Sequence, residues 1–227
     1  MIKTYLLNHI DFKQRLEYIS NRLNEEQIDY ELVNMYHPND FDYDDMIKGY
    51  EEFKNILIEI TPLGPGSSPG NSYMNFSKKI SPSSVSLILK HLYCWNQQLN
   101  NDYNTILILE DDADIPKGFK ESLCRIYDEF IEDNMDIVMI GDGYNWHPPN
   151  IYIDRVTHYH RTLKTRCTHA YLISKSCAKK MLDNFNPFNL PIDFKMNEII
   201  QLESLRVSWY EPGIKQKKFD NENTIDR

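Results

Sequence analysis

The most constraining feature of this sequence is an apolar segment that runs directly into acids. Residues 106–109 read ILIL and residues 110–114 read EDDAD, so four carboxylates stand within five residues. An uninterrupted apolar run of this length is typical of a strand that is buried on both faces, as in the sheet of an α/β protein. Ligands of open α/β sheets bind at the carboxyl ends of the strands. The sequence therefore predicts a buried strand over 105–109 with a ligand site at its carboxyl end.

Strands and helices are predicted to alternate along the chain, which indicates an α/β fold with a mainly parallel central sheet flanked by helices. The predicted strands cover residues 2–7, 30–33, 56–60, 105–109, 136–140 and 171–173. Helices are predicted at 12–23, 85–99, 118–134, 178–182 and 194–205, three of them capped by Asp11, Ser174 and Asp193. We expect a single domain over 1–227, with 62–82 as a flexible loop and 217–227 as a C-terminal tail.

Composition and charge limit the classes of binding partner and the cellular compartment that we expect for this protein. The chain has 34 acidic and 25 basic side chains and a net charge of -9, which argues against nucleic acid, a partner recognised mainly through its phosphate backbone. The sequence has neither an apolar segment of transmembrane length nor the long apolar region of a signal peptide. The four cysteines are widely spaced and show no metal-binding or disulfide pattern. These features predict a cytoplasmic protein.

The acids themselves predict a bound cation. Carboxylates this close together repel one another, and a hard divalent ion such as Mn²⁺ or Mg²⁺ neutralises them through oxygen ligands. If the extended chain continues, Glu110 and Asp112 share a face, whereas a turn at Asp112 brings Asp111 and Asp114 together. The sequence leaves both arrangements open. Asp111, Asp112 and Asp114 are therefore all candidate metal ligands.

Two other interpretations of the acids stand beside the metal site. A solvated acidic loop can cap the helix that follows it. A phosphohydrolase of the haloacid dehalogenase type places an Asp-x-Asp pair directly after a strand, and Asp112 and Asp114 have that spacing. An EF-hand is excluded, because Pro116 and Lys117 stand where its loop needs a ligand and a glycine.

Short segments along nearly the whole chain match one family in order. The matching segments are residues 7–8 (LN) with Arg15, His91 with Trp95, residues 109–112 (LEDD), 170–174 (AYLIS), 191–193 (PID) and 212–216 (PGIKQ). This ordered set resembles glycosyltransferase family 25, the lipopolysaccharide and procollagen galactosyltransferase-like enzymes. The chain departs from the family at Ser83, Ser84 and Lys90, where the family usually carries a Gly-Glu pair and a serine before the histidine.

The resemblance implies a GT-A type, Rossmann-like fold. It also implies an inverting transferase that uses a nucleotide-sugar donor together with Mn²⁺ or Mg²⁺. The expected donor is a UDP-sugar, with galactose or glucose as the hexose. Asn8, Arg15, Glu110 and Asp111 are expected to contact this donor.

The resemblance further implies which group takes the acceptor proton. The family's aspartate on the acceptor side matches Asp193, which is the expected general base because its carboxylate can take a hydroxyl proton. Asp142 is the reserve candidate, since it follows the predicted strand 136–140. The expected acceptor is a glycan, a lipid-linked saccharide or a hydroxylysine. The alternative from another class is a sugar-binding protein that keeps the fold without turnover.

Overall fold

The computed structural model describes residues 2–40, 81–143, 147, 154–159, 165–185 and 190–219. The predicted strand 56–60, nearly all of the predicted loop 62–82 and most of the predicted tail 217–227 lie outside these ranges. The described strands are β1 Lys3–Leu7, β2 Glu31–Val33, β3 Thr105–Glu110, β4 Ile137–Gly141, β5 Thr157–Tyr159, β6 Ala170–Ser174 and β7 Val207–Ile214. The described helices are α1 Lys13–Glu25, α2 Pro82–Asn100, α3 Phe119–Glu132, α4 Lys175–Asn184 and α5 Ile192–Leu202. None of these helices is long and apolar enough to cross a bilayer.

The described strands form one sheet in the order β2-β1-β3-β6-β4-β7-β5. β1 pairs in parallel with both β2 and β3, and β4 pairs in parallel with β7. β6 lies antiparallel between β3 and β4, and β5 is antiparallel to β7. The α/β class is confirmed, and the sheet is mixed. Strand direction depends on where each connection returns in space, which the order of apolar segments does not encode.

The sequence pattern does not predict β5 or β7. β5 has only three residues, which is too short to show an alternating or continuous apolar pattern. β7 begins with VSWY but continues through Pro212 and Gly213, and these residue types normally interrupt a strand. The pairing of β4 with β7 shifts register between Met139 and Gly141, near that irregular part of β7. A strand signal was therefore present only in the first half of β7.

β3 is buried on both faces of the sheet, as predicted. Successive side chains of a strand point to opposite faces. Ile106 and Ile108 accordingly belong to one apolar cluster, together with α2, α4 and α5. Leu107 and Leu109 belong to a second cluster on the other face, together with α1 and α3. Helices on both faces explain why this strand is apolar at every position before Glu110.

One predicted helix cap is confirmed and two are wrong. Ser174 caps α4, since its hydroxyl accepts a main-chain hydrogen bond from the first turn. α1 has no side-chain cap, because Asp11 Oδ2 lies 3.1 Å from His37 Nε2 instead. α5 begins directly after Pro191, so Asp193 lies within its first turn rather than before it. Asp11 thus lies one residue before the observed N-cap Phe12, and Asp193 lies two residues after the observed N-cap Pro191.

A buried polar chain connects the core to the acidic end of β3. Trp95 Nε1 donates to the Tyr171 hydroxyl oxygen at 3.1 Å, and that hydroxyl lies 2.8 Å from His91 Nδ1. Burial raises the pKa of Tyr171 well above its ordinary value, so the hydroxyl keeps its proton and can donate it to His91 Nδ1. The other ring nitrogen, His91 Nε2, lies 3.6 Å from Glu110 Oε1. His91 and Trp95 thus have the core role that their helical stripe predicts.

We expect Tyr171→Phe to lower the free energy of unfolding by about 1–3 kcal/mol, because the substitution leaves two buried ring nitrogens without their partner. Urea denaturation at neutral pH measures the loss. The matched control is Tyr127→Phe on α3, where the hydroxyl makes no hydrogen bond to any described residue. Equal losses in the two variants would contradict a structural role for the buried chain.

Candidate active site

The carboxyl ends of β1 and β3 meet because the two strands are parallel, with Leu7 opposite Glu110. The residues that directly follow β1 and β3, Asn8 and Asp111, form the contact that joins the two strand ends. Asn8 Nδ2 donates to Asp111 Oδ2 at 2.8 Å, and the main-chain N–H of His9 donates to the same oxygen at 3.1 Å. The candidate site is therefore assembled from two segments about a hundred residues apart, through one carboxylate.

The Asp111 carboxylate is buried at the centre of this contact. Arg15 Nη1, on α1, lies 3.4 Å from Asp111 Oδ1. Burial raises the pKa of Asp111, while the hydrogen bonds from His9 and Asn8 and the charge of Arg15 oppose that shift. Both oxygens of Asp111 thus face protein donors, which makes this residue the anchor between the acidic segment and the start of α1.

One face of α1 continues the contact beyond Arg15. The Tyr18 hydroxyl, three residues later, donates to Asp114 Oδ1 at 2.5 Å. Arg22 Nε, a further turn along, donates to the main-chain oxygen of Ile115 at 3.0 Å. Residues three or four apart share a helix face. The spacing of these three side chains therefore predicts that they share a face of α1, and the structure shows that this face contacts the acidic segment.

The last described part of the chain covers the acids from another side. Gln216 Nε2 donates to Asp112 Oδ2 at 3.0 Å. The main-chain N–H of Lys217 donates to the Asp112 carbonyl, and the N–H of Asp114 donates to the carbonyl of Lys215. Gln216 lies in the matching segment 212–216, so the sequence pointed to this region without giving its contact.

The four carboxylates have different hydrogen-bond partners, although Arg15 lies near both Asp111 and Asp112, 3.9 Å from the second. Glu110 Oε1 accepts from the Thr168 hydroxyl at 2.7 Å. Among the described residues, no three of these acids bring oxygen atoms within 4.8 Å of one another. The structure thus leaves the assignment of metal ligands among Asp111, Asp112 and Asp114 as a prediction.

Three side chains near the start of α1 do come together. His9, Asp11 and His37 offer ligand atoms within 4.8 Å of one another. Each ring accepts a main-chain N–H at Nδ1, from Asp11 at 3.3 Å and from Asn39 at 3.1 Å respectively. Burial and the charge of Lys90 lower the pKa of His9. Within the group, His37 Nε2 lies 3.1 Å from Asp11 Oδ2, and His9 Nδ1 lies 3.8 Å from the same oxygen.

Asp142 lies at the same edge of the sheet as the acids. β6 is antiparallel to both β3 and β4, so β3 and β4 point in the same direction and Asp142 follows β4 at that edge. Asp142 is buried, and its Oδ1 makes no hydrogen bond to the described residues. A Cβ on Gly213 would stand 2.6 Å from the Cβ of Asp142, so only glycine fits there.

Asp193 occupies a different position. It is half-buried in the first turn of α5, where Oδ1 accepts from the Phe194 main-chain N–H at 3.0 Å. Thr165 Oγ1 lies 3.4 Å from the Asp193 carbonyl oxygen, and the N–H of Thr165 donates to Asn197 on α5. The main-chain oxygen of Asp193 thus lies next to segment 165–169.

No pattern in the sequence predicts a role for segment 165–169, which precedes β6. In the structure this segment contacts several parts of the site. Thr165 contacts α5, Thr168 binds Glu110, and the His169 carbonyl accepts from the Glu110 N–H. Arg166 is fully buried and donates to Glu211 Oε1 at 2.6 Å. The segment is polar and lacks periodicity, so sequence reasoning had no way to place it.

Arg166 is held by three features of β7. Nη1 pairs with Glu211, Nη2 donates to the Tyr210 carbonyl at 2.7 Å, and the guanidinium lies over the Trp209 ring at 4.8 Å. The charge of Asp142 also acts on it. A buried cation between two acids stabilises both carboxylates near the strand ends.

Fold and candidate site together define an α/β protein with an acidic edge where the carboxyl ends of several strands meet. The model of Glycosyltransferase family 25 (LPS biosynthesis protein) matches residues 1–196. The chain belongs to this family, which confirms the resemblance seen in the sequence.

Individual proteins are similar at lower levels of identity. A Haemophilus influenzae protein named "Putative glycosyltransferase" is 22% identical over 218 residues, covering 92% of this chain and 68% of the relative. A UDP-glucose pyrophosphorylase from Acinetobacter baumannii has a TM-score of 0.48 at 10% identity, covering 96% of this chain and 87% of the other. A UDP-glucose pyrophosphorylase complexed with UDP-glucose has a TM-score of 0.45 at 11% identity, covering 97% and 93%.

We expect Arg166→Met to lower the free energy of unfolding by about 3–5 kcal/mol, because the substitution removes the buried cation that pairs with half-buried Glu211 and attracts buried Asp142. The matched control is Arg155→Met, which removes a more exposed cation from Glu129 and Asp133. Its expected loss is about 1 kcal/mol or less. Urea denaturation compares the two, and similar losses would show that Arg166 does not hold the strand ends together.

Proposed function

We propose that this chain is a metal-dependent inverting hexosyltransferase that moves galactose or glucose from a UDP-sugar to a hydroxyl acceptor. Membership of the glycosyltransferase family supports transfer of a sugar. The observation that carries the proposal is the acidic segment 110–114 at the carboxyl end of β3, where buried Asp111 binds Asn8 after β1 and Arg15 on α1. The UDP-sugar, the metal and the stereochemistry are parts of the proposal.

The donor side is proposed to consist of Asn8, Arg15, Glu110 and Asp111. Asp111 orients the first two, since it accepts from Asn8 and pairs with Arg15. The Arg15 guanidinium also lies over the Phe12 ring at 4.3 Å, which limits its movement. A fixed guanidinium at a strand end suits a phosphate group, because its planar donors match phosphate oxygens.

The site suits a divalent ion that is held by few carboxylates. Mg²⁺ is commonly held by one or two carboxylates together with substrate phosphates and water, so a cage of three converging acids is not required. Asp112 and Asp114 are the acids we assign to Mn²⁺ or Mg²⁺, with Asp111 as the anchor behind them. When bound, the ion would offset the negative charge of the departing diphosphate. Gln216 and Tyr18 fix the orientation of these two acids.

Transfer needs a base on the acceptor side. The base takes the proton of the acceptor hydroxyl, the acceptor oxygen bonds to the anomeric carbon, and the bond to UDP breaks with its electron pair leaving on UDP. Asp142 is supported by its place at the acidic edge and by a buried oxygen without a hydrogen bond to described residues. Asp193 is the second candidate, and it rests on the family resemblance.

The acceptor is proposed to be a saccharide. The family's description as an LPS biosynthesis protein favours a glycan or a lipid-linked saccharide over hydroxylysine. Family membership also weakens the phosphohydrolase interpretation of Asp112 and Asp114. A sugar-binding protein without turnover remains the competing class, and measurement of turnover separates the two.

We expect the chain to release UDP slowly from one UDP-sugar, even without acceptor, when Mn²⁺ is present. Chelator should abolish the release, and Asp112→Ala should reduce it at least about 100-fold, the scale of losing one electrostatic contact to the transition state. The matched control Asp128→Ala removes an exposed acid of α3 and should leave the rate unchanged. Tight UDP-sugar binding without any release would favour the non-catalytic class.

We expect substitutions of the two candidate bases to lower kcat to different extents. Asp142→Asn should lower kcat about 100- to 10,000-fold with little change in the KM for donor, because the amide cannot accept the hydroxyl proton. Asp193→Asn should lower kcat much less. Steady-state transfer to a saccharide acceptor measures both variants, and the opposite ranking would assign the base to Asp193.

A further inference from the structure

Lys90 is a buried cation that the proposed roles above leave unexplained. It lies on α2 directly before His91 and is only 4% exposed. Lysine is almost never buried to this extent without a partner. No hydrogen bond or ion pair joins Lys90 to any residue in the described ranges. The family resemblance places a serine at this position, so the charge is a property of this chain.

The neighbourhood of Lys90 is the acidic end of the sheet. The carboxylates of Asp111 and Glu110 are the charges that raise its pKa, and its own charge lowers the pKa of His9. Both acids already have other partners, since Asp111 accepts from Asn8 and Glu110 accepts from Thr168. The ammonium group therefore lies beside the acids without being their hydrogen-bonded counterion.

The carboxylates near the Lys90 ammonium group do not fully balance its charge. Burial lowers the pKa of Lys90 to about 8, so the two neighbouring carboxylates do not compensate for the lost contact with water. An additional anion beside the ammonium group would offset the cost of burying its charge. The diphosphate of a nucleotide sugar carries such charge to the carboxyl ends of these strands.

A second polar group points to the same ligand. Ser86 lies four residues before Lys90, and residues at this spacing share one face of a helix. Ser86 is 1% exposed, and its buried Oγ makes no hydrogen bond to the described residues. A hydroxyl and an ammonium group on one helix face, both buried and both without such a partner, form a donor pair suited to phosphate oxygens.

We propose that Lys90 and Ser86 bind the diphosphate of the donor nucleotide and that Lys90 stabilises the negative charge on the departing UDP. The inference rests on the proposed function, because it assigns a further binding subsite to the same donor. The bond to the anomeric carbon breaks with its electron pair on the diphosphate oxygen, and the ammonium group offsets that charge without transferring its proton. Lys90 thus supplements the metal at the leaving group.

The test compares binding of UDP and of uridine to the native chain and to Lys90→Met, by calorimetry at pH 7 with chelator present. Without metal, the diphosphate depends most on protein cations. We expect Lys90→Met to weaken UDP binding about tenfold or more, the loss of one charge-assisted hydrogen bond, and to leave uridine binding unchanged. Ser86→Ala should weaken UDP binding by a smaller factor. The matched control is Lys195→Met, since Lys195 is equally buried but paired with Glu198.

Thermal unfolding separates a ligand contact from a structural role. Replacing a buried charge by an apolar side chain of similar size is often neutral or stabilising when the charge has no hydrogen-bonded partner. We therefore expect the melting temperature of Lys90→Met to be equal to or above that of the native chain. A lower melting temperature with equal loss of UDP and uridine binding would overturn the inference, and so would unchanged UDP binding. Lys90→Gln, which has a polar but uncharged head group, repeats the comparison of UDP and uridine binding in a second variant.

The outcomes also separate this inference from the proposed function. Native UDP binding that Lys90→Met leaves unchanged removes the Lys90 subsite and keeps the transferase proposal. Lys90-dependent UDP binding without release of UDP from any UDP-sugar keeps the subsite and removes the transferase proposal. A native chain that binds no UDP contradicts both.

Discussion

The contact of Asp111 with Asn8 and His9 is the constraint on which the rest of the site depends. It joins the carboxyl ends of two parallel strands that are distant in sequence, and it does so through a buried carboxylate whose pKa burial raises. A buried carboxylate is tolerated only with donors on its oxygens. The neighbouring acids along the chain have other hydrogen-bond partners, namely Thr168, Gln216 and Tyr18. Arg15 lies near both Asp111 and Asp112, so the anchor also connects α1 to the next acid.

Each of these acids is oriented by a different part of the chain. α1 holds Asp114, the strand end after β7 holds Asp112, and segment 165–169 holds Glu110. The segment itself is fixed by Arg166, whose guanidinium is enclosed by β7. Side chains that are fixed by separate elements keep their geometry when a ligand arrives, which favours binding that needs little reorganisation.

Charge balance connects the site to the chemistry of its proposed ligand. The edge of the sheet carries several acids, and the cations Arg15 and Lys90 lie among them. A divalent ion and a diphosphate have opposite charges, so a site that must bind both needs acids and bases side by side. Arg15 is anchored by Asp111, whereas Lys90 has no such hydrogen-bonded anchor among the described residues. The two cations thus differ in how they are held: Arg15 is fixed in place by a carboxylate, and Lys90 by burial alone.

The sequence by itself determined the α/β class, the buried strand ending in acids, the Ser174 cap and the family. These follow from local patterns: continuous apolar residues, helical spacing and ordered short motifs. The tertiary structure decided the antiparallel direction of β6, the strands β5 and β7, and the partners of each acid. It also moved Asp11 and Asp193 out of their predicted cap positions. Contacts such as Thr168 with Glu110 depend on the path of the chain in space, and no local pattern encodes that path.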